Sequence, residues 1–167
     1  MKKSCLLLCF LLILQMLCGC TSKKEEFKKP VNFYYCRREV TYNSPQAVLY
    51  PETREGYSYH SNIIAYLHAY LCGPQSEELE APIPPDVYLV SCSVEEGIAD
   101  IVFSNQFSKL SGVKLATACS ALLLSVREFS NVETIRVRAK DAQVDGRAYF
   151  ELSLDDIVLL DTVTTQD

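Results

Sequence analysis

The chain predicts an α+β domain: two amphipathic helices packed on one face of a mainly antiparallel sheet. Three observations carry this. Two apolar stripes recur at helical spacing, around residues 63–71 and 115–129. Stretches alternating with period two lie between and after them. Glycine and proline punctuate the joints: Gly73-Pro74, Glu95-Glu96-Gly97 and Asp145-Gly146. With 167 residues, one such core is the expected content once a leader is set aside.

The leader comes first. Lys2 and Lys3 precede an apolar run from Cys5 to Leu17, interrupted only by Gln15. That run is short of the ~20 residues a membrane span needs and has the form of a secretory signal. Leu17-Cys18-Gly19-Cys20 resembles the bacterial lipobox. The resemblance implies a signal peptide over 1–19, cleavage before Cys20, and a diacylglyceryl group on the Cys20 thiol. Residues 20–30 are then a polar tether, and the acyl chains hold the protein on the extracytoplasmic membrane face without spanning it.

The strands and helices follow in order. Val31 to Cys36 is rich in aromatic and β-forming residues and predicts a first strand; Ala47 to Tyr50 predicts a short second one, stopped by Pro51. Ser58 to Cys72 predicts a helix, capped by Ser58 or Ser61. Its buried stripe would be Ile63, Ile64, Leu67 and Leu71, with Tyr66 and Tyr70 at the flanks. Gly73 supplies the left-handed residue that closes it, and Pro74 stops it continuing. The acid- and proline-rich stretch up to Pro82, Pro84 and Pro85 predicts a stiff, solvated strut. Val87 to Val94 and Ala99 to Phe103 predict a hairpin turning at Gly97. Tyr88, Val90, Cys92 and Val94 would share the buried face with Ala99, Ile101 and Phe103. Val113 to Phe129 predicts the second helix, its stripe being Leu115, Cys119, Leu122, Val126 and Phe129. Glu133 to Arg138 alternates, with Ile135 and Val137 in and Thr134, Arg136 and Arg138 out. Ala148 to Leu152 predicts a last strand, the domain spanning 31–152 and an extension 153–167.

Charge and reactive groups narrow the function. Loss of Lys2 and Lys3 with the signal leaves 14 basic and 21 acidic residues, a formal −7, which argues against nucleic acid as a partner. His60 and His68 stand eight apart, not at the i, i+4 spacing of a helical zinc pair. Cys36, Cys72, Cys92 and Cys119 have no CxxC spacing and sit in apolar patterns, which favours buried thiols over disulfide bridges, for which an even number outside the cell leaves three pairings open. Glu95-Glu96 and Asp155-Asp156 lie in turns, where paired acids are ordinarily solvated. No nucleophile elbow, phosphate loop or EF-hand occurs in the sequence, and the reading is of a non-enzymatic protein without metal or cofactor.

Four stretches together resemble a GerMN domain, the module of sporulation and spore germination lipoproteins in Gram-positive bacteria. They are LYPETREG (Leu49 to Gly56), LHAYLCGP (Leu67 to Pro74), IPPDVYLVSCSVEEGIADIVFS (Ile83 to Ser104) and LSVREFSNVETIRV (Leu124 to Val137). The specific marks are Gly73, Pro74, Pro84, Gly97 and Phe129, and the likeness covers approximately Val31 to Gly146. Val102 stands where the family often has an acid, and the stretch after Lys140 matches poorly. The resemblance implies a ring-building-like fold that acts by packing side by side, with no catalytic residues and no cofactor. On this reading the chain is a lipid-anchored assembly module of the envelope. Its partners would be the membrane, further copies or other envelope proteins, and Arg136 and Arg138 would form an outward assembly face. The alternative is a lipoprotein that captures a cell-wall fragment or small solute in a pocket lined by Tyr34, Tyr35, Tyr66 and Tyr70.

Overall fold

The computed structural model describes residues 30–38, 48–54, 62–129 and 131–157. The signal peptide, Cys20, the tether before Pro30, His60, Ser58, Ser61, Ala47 and the extension beyond Ile157 lie outside the described residues. Among the described residues, seven strands form two sheets, with two α-helices packed on them. In the first, β1 (Val31–Arg37) is central, flanked by β2 (Leu49–Arg54) and β3 (Leu79–Glu80), all antiparallel. The second has the order β4-β5-β6-β7: Leu89–Glu95, Ile98–Phe103, Thr134–Ala139 and Phe150–Ser153. Its outer pairs are antiparallel. The central pair β5–β6 is parallel, which requires a crossover, here a short 3-10 helix and α2 (Gly112–Phe129). The α+β class is as the sequence reads; the division of the strands into two sheets is new.

The first helix, α1 (Ile63–Leu71), is capped by Asn62, whose Oδ1 accepts from the backbone N–H of Ile64 (3.0 Å) and Ala65 (3.2 Å). Its buried face is not the expected stripe. Tyr66, Leu67 and Tyr70 are buried, while Ile64 is exposed and Ile63 and Leu71 are only partly covered. The tyrosines go inward because each ring fills core volume. Phe33 lies 4.7 Å from Tyr66, and Tyr35 stacks on Tyr70 at 5.1 Å. The Tyr66 hydroxyl donates to the Ser125 carbonyl at 2.6 Å, with the Asn32 carbonyl at 3.1 Å as a second acceptor.

The second helix is more deeply enclosed than one stripe allows. Ala118, Ala121, Leu123 and Ser125 are buried as well as Leu115, Cys119, Leu122 and Val126. It packs against β1 of one sheet and against β6 and β7 of the other, so several of its faces meet protein. The small residues at 118 and 121 permit the close approach. Ser125 is satisfied there: its Oγ accepts from Tyr34 N–H (2.8 Å) and donates to the Ala121 carbonyl (2.8 Å).

Two further expectations need correction, and a third gains detail. Pro51 does not stop the second strand; it lies inside β2, opposite Tyr34, on a sheet edge where its missing N–H costs no ladder bond. The stiff strut is partly strand. It contains β3, which pairs Glu80 with Cys36 and Leu79 with Arg37, while Glu77, Glu78 and Glu80 stay exposed. In the hairpin, a register shift between Leu89 and Ser91 puts Leu89, Cys92 and Val94 opposite Phe103, Ile101 and Ala99. Leu89 is therefore the buried residue, whereas Tyr88, Val90 and Val94 are exposed. The turn itself has Glu96 at φ 49° and Gly97 at φ 79°, the paired positive values of a two-residue type I′ hairpin.

Candidate functional site

Two clusters of charge organise the molecule. The first is built from β2 and the end of α1. Alternation along β2 sends Glu52 and Arg54 to the same side, where they form an ion pair with side chains only 11% and 12% exposed. Arg54 Nε donates to Glu52 Oε1 at 2.7 Å. Its other nitrogens donate to the Ala69 carbonyl (3.3 Å), the Gly73 carbonyl (2.6 Å) and the Tyr35 hydroxyl (3.3 Å), and the guanidinium lies 4.8 Å from the Phe33 ring centroid. Glu52 Oε2 accepts from the backbone N–H of Gln75 (2.8 Å) and Ser76 (2.9 Å). Burial alone would raise the Glu52 carboxyl. The hydrogen bonds from Ser76, Arg54 and Gln75 outweigh it and hold the group below its ordinary value.

This clamp seats on the helix stop. Gly73 follows α1 with φ 84°, its N–H donating to the Tyr70 carbonyl at 3.0 Å, and Pro74 comes next. The C-terminal carbonyls that α1 leaves unpaired thus meet a cation. Neither Glu52 nor Arg54 is signalled by sequence pattern, since both sit in a strand read as ending before them. The hint was their place inside the LYPETREG landmark.

The second cluster lies across the outer face of the four-stranded sheet. Arg136 and Arg138 point outward from β6 between Asp100 on β5 and Glu151 on β7. Arg136 donates to Glu151 Oε2 from Nε (2.9 Å) and Nη2 (2.8 Å), approaches Asp100 at 4.0 Å, and lies 4.9 Å from the Tyr149 ring. Arg138 pairs with Asp100. The four charges cancel within the sheet, so both arginines already have carboxylate partners in their own chain.

The remaining landmarks stand at the joints between elements. Pro84 sits in the turn into the hairpin, its carbonyl accepting from Val87 N–H at 3.1 Å. The Gly97 carbonyl accepts from Glu133 (2.9 Å) and Thr134 (3.3 Å), which fastens the hairpin tip to the start of β6. Phe129 is the last residue of α2. Asp156, from the Asp155-Asp156 pair, accepts from Ser153 N–H and Oγ and forms a capping box rather than an acid–base pair.

Among the described residues, groups suited to chemistry stay apart. Cys36, Cys72, Cys92 and Cys119 are free, but only Cys119 is buried; Cys36 and Cys92 are half-buried and Cys72 is exposed, contrary to the expectation that all four are buried. Burial raises the Cys36 and Cys92 thiols to about 11, with Glu80 and Asp100 adding to it, and burial raises Cys119 to about 12. None of these three is a thiolate nucleophile at neutral pH. His68 is exposed, and no cluster of three metal-ligating side chains occurs among the described residues. Of the aromatic residues considered for a ligand pocket, Tyr35, Tyr66 and Tyr70 are core, leaving Tyr34 half-buried. No described helix is long and apolar enough to cross a membrane.

The fold is similar to that of solved structures. The tandem GerMN domains of the sporulation protein GerM from Bacillus subtilis match with a TM-score of 0.58 and 20% identity, over 74% of this chain and 45% of that one. The first GerMN domain of the same protein gives 0.53 and 15%, over 77% and 99%. A candidate lipoprotein from Clostridium perfringens gives 0.50 and 16%, over 77% and 89%. At these identities the likeness is one of fold. No curated protein matches the chain by sequence. The family described as Germane, sporulation and spore germination, matches residues 32–145, more than half of the sequence. The chain therefore belongs to the Germane family.

Proposed function

We propose that the protein is a non-enzymatic, lipid-anchored envelope module that assembles with other protein chains during sporulation or spore germination. The observation that carries this reading is the open face of the four-stranded sheet. It presents Asp100, Arg136, Arg138 and Glu151 in a self-neutralised ladder, beside exposed Tyr149, while three of the four candidate pocket tyrosines are committed to the core. A mixed-polarity sheet face whose charges balance suits contact with another protein better than capture of a small solute. Family membership supports the process, and the lipobox-like Leu17-Cys18-Gly19-Cys20 supports the anchor.

Cell fractionation followed by cross-linking in membranes tests the proposal. The wild-type chain is expected in the membrane fraction and in cross-linked protein complexes, and Cys20→Ser in the soluble fraction. A wild-type chain that fractionates as soluble, or that never enters a cross-linked species, overturns it.

A further inference from the structure

The four-stranded sheet has one covered face and one open face. Ala99, Ile101, Ile135, Val137 and Leu152 are buried on the first. On the second, Ser91, Ser93, Arg138 and Glu151 are exposed, and Asp100 and Arg136 are half-buried. The register sets these outward residues in rows. Ser93 pairs with Asp100, Asp100 with Arg136, and Arg136 with Glu151. One row thus reads serine, minus, plus, minus across β4, β5, β6 and β7. The row on one side of it is Ser91, Val102 and Arg138; the row on the other is Glu95, Ile98, Thr134 and Ser153.

The pairs within the chain do not exhaust these groups. Arg136 directs Nε and Nη2 to a single oxygen, Oε2, of Glu151, and its Nη1 stands 4.0 Å from Asp100, beyond hydrogen-bond reach. A guanidinium has five N–H donors and a carboxylate has two oxygens, so both members of this pair can take a further partner.

We infer that this open face docks on the same face of a second copy of the chain, about a twofold axis that runs parallel to the strands, between β5 and β6. This deepens the assembly reading above and rests on it. The charge pattern selects the arrangement. That axis lays β5 of one copy over β6 of the other, and β4 over β7. Asp100 then meets Arg136 of the second copy, twice by symmetry, while Ser93 meets Glu151, Val102 meets Arg138 and Glu95 meets Ser153. No two like charges face each other. A twofold across the strands fails. Placed along the charged row, it sets Asp100, Arg136 and Glu151 each on its own counterpart; placed between that row and the next, it sets Arg136 on Arg138. A self-complementary face is what a twofold dimer requires. Aligned sheets pack about 10 Å apart, a gap that arginine side chains can fill. With the axis normal to a membrane, equivalent ends of the two copies stay level, so two chains anchored on one membrane face can meet without either being inverted. A face of four short strands covers less than the ~800 Å² per partner of a standard interface. The dimer consequently depends on concentration, and confinement to a membrane favours it.

The test is the mass of the full chain in a mild detergent, by light scattering across a concentration series. A concentration-dependent dimer is expected. Asp100→Arg and Arg136→Asp should each leave a monomer, because each sets like charges against one another across the axis. An equimolar mixture of the two variants should recover the dimer, since both crossings are then of opposite sign. Thermal unfolding checks that each variant is folded. Should either fail, Ser93→Glu, at an exposed serine, takes its place: it brings a carboxylate over Glu151 of the other copy and should likewise leave a monomer. A wild-type chain monomeric at every concentration, a dimer that survives these substitutions in the folded chain, or a mixture of folded variants that stays monomeric overturns the inference. A monomer that still cross-links to other envelope proteins in membranes would refute the self-pairing alone, whereas loss of membrane association would refute the broader proposal.

Discussion

Glu52–Arg54 and Arg136–Glu151 are the same chemical pair in opposite settings. In the first, both side chains are nearly buried, 11% and 12% exposed, and the guanidinium also holds the carbonyls that end α1. In the second, Arg136 is 33% and Glu151 45% exposed, and the guanidinium meets Glu151, Asp100 and the Tyr149 ring. The difference separates two jobs that arginine does in a small domain. A buried pair joins parts of the fold distant in sequence, because neither charge can be left alone away from water. An exposed pair shapes a surface and contributes little to folding.

The largest effect should come from breaking the buried pair. Arg54→Ala strands the Glu52 carboxylate and three acceptors, and should destabilise the fold by about 3–5 kcal/mol, read by chemical denaturation. Acid should act on the same place. Because the Glu52 carboxyl is held below its ordinary value of 4.5, its contribution is fully present above that pH and is lost as pH falls through the lowered value. Glu52→Gln should remove part of this acid sensitivity, measured as the slope of stability between pH 5 and pH 3, on the order of the carboxylate range.

Gly73 is the next smaller test. Its φ of 84° leaves open space around an added Cβ, so the cost in Gly73→Ala is conformational alone, about 1–2 kcal/mol in thermal unfolding. Arg136→Ala should cost less than ~1 kcal/mol, and that small loss should shrink further at high salt.

How far the sequence is legible depends on the same contrast between buried and surface features. Ile135, Val137, Arg136 and Arg138 fall on the faces that alternation assigns them, since a regular strand with one wet face has a simple code. Helix α1 misleads because tyrosine is amphipathic. Tyr66 and Tyr70 look like flanks, yet their rings make the core. Strand β4 misleads because an irregularity near Val90 shifts the phase, and period-two reading has no signal for a bulge. The clamp was invisible for a third reason. Glu52 and Arg54 meet Gly73, Gln75 and Ser76 only through the fold, about twenty residues apart along the chain, a separation that local patterns do not encode. The split into two sheets is equally non-local.

A double-mutant cycle at each pair, Glu52 with Arg54 and Arg136 with Glu151, tests the contrast most directly. The account predicts a coupling energy several-fold larger at Glu52–Arg54, unchanged by added salt, and a small salt-screened coupling at Arg136–Glu151. Equal couplings at the two sites, or a Glu52–Arg54 coupling that salt removes, would contradict it.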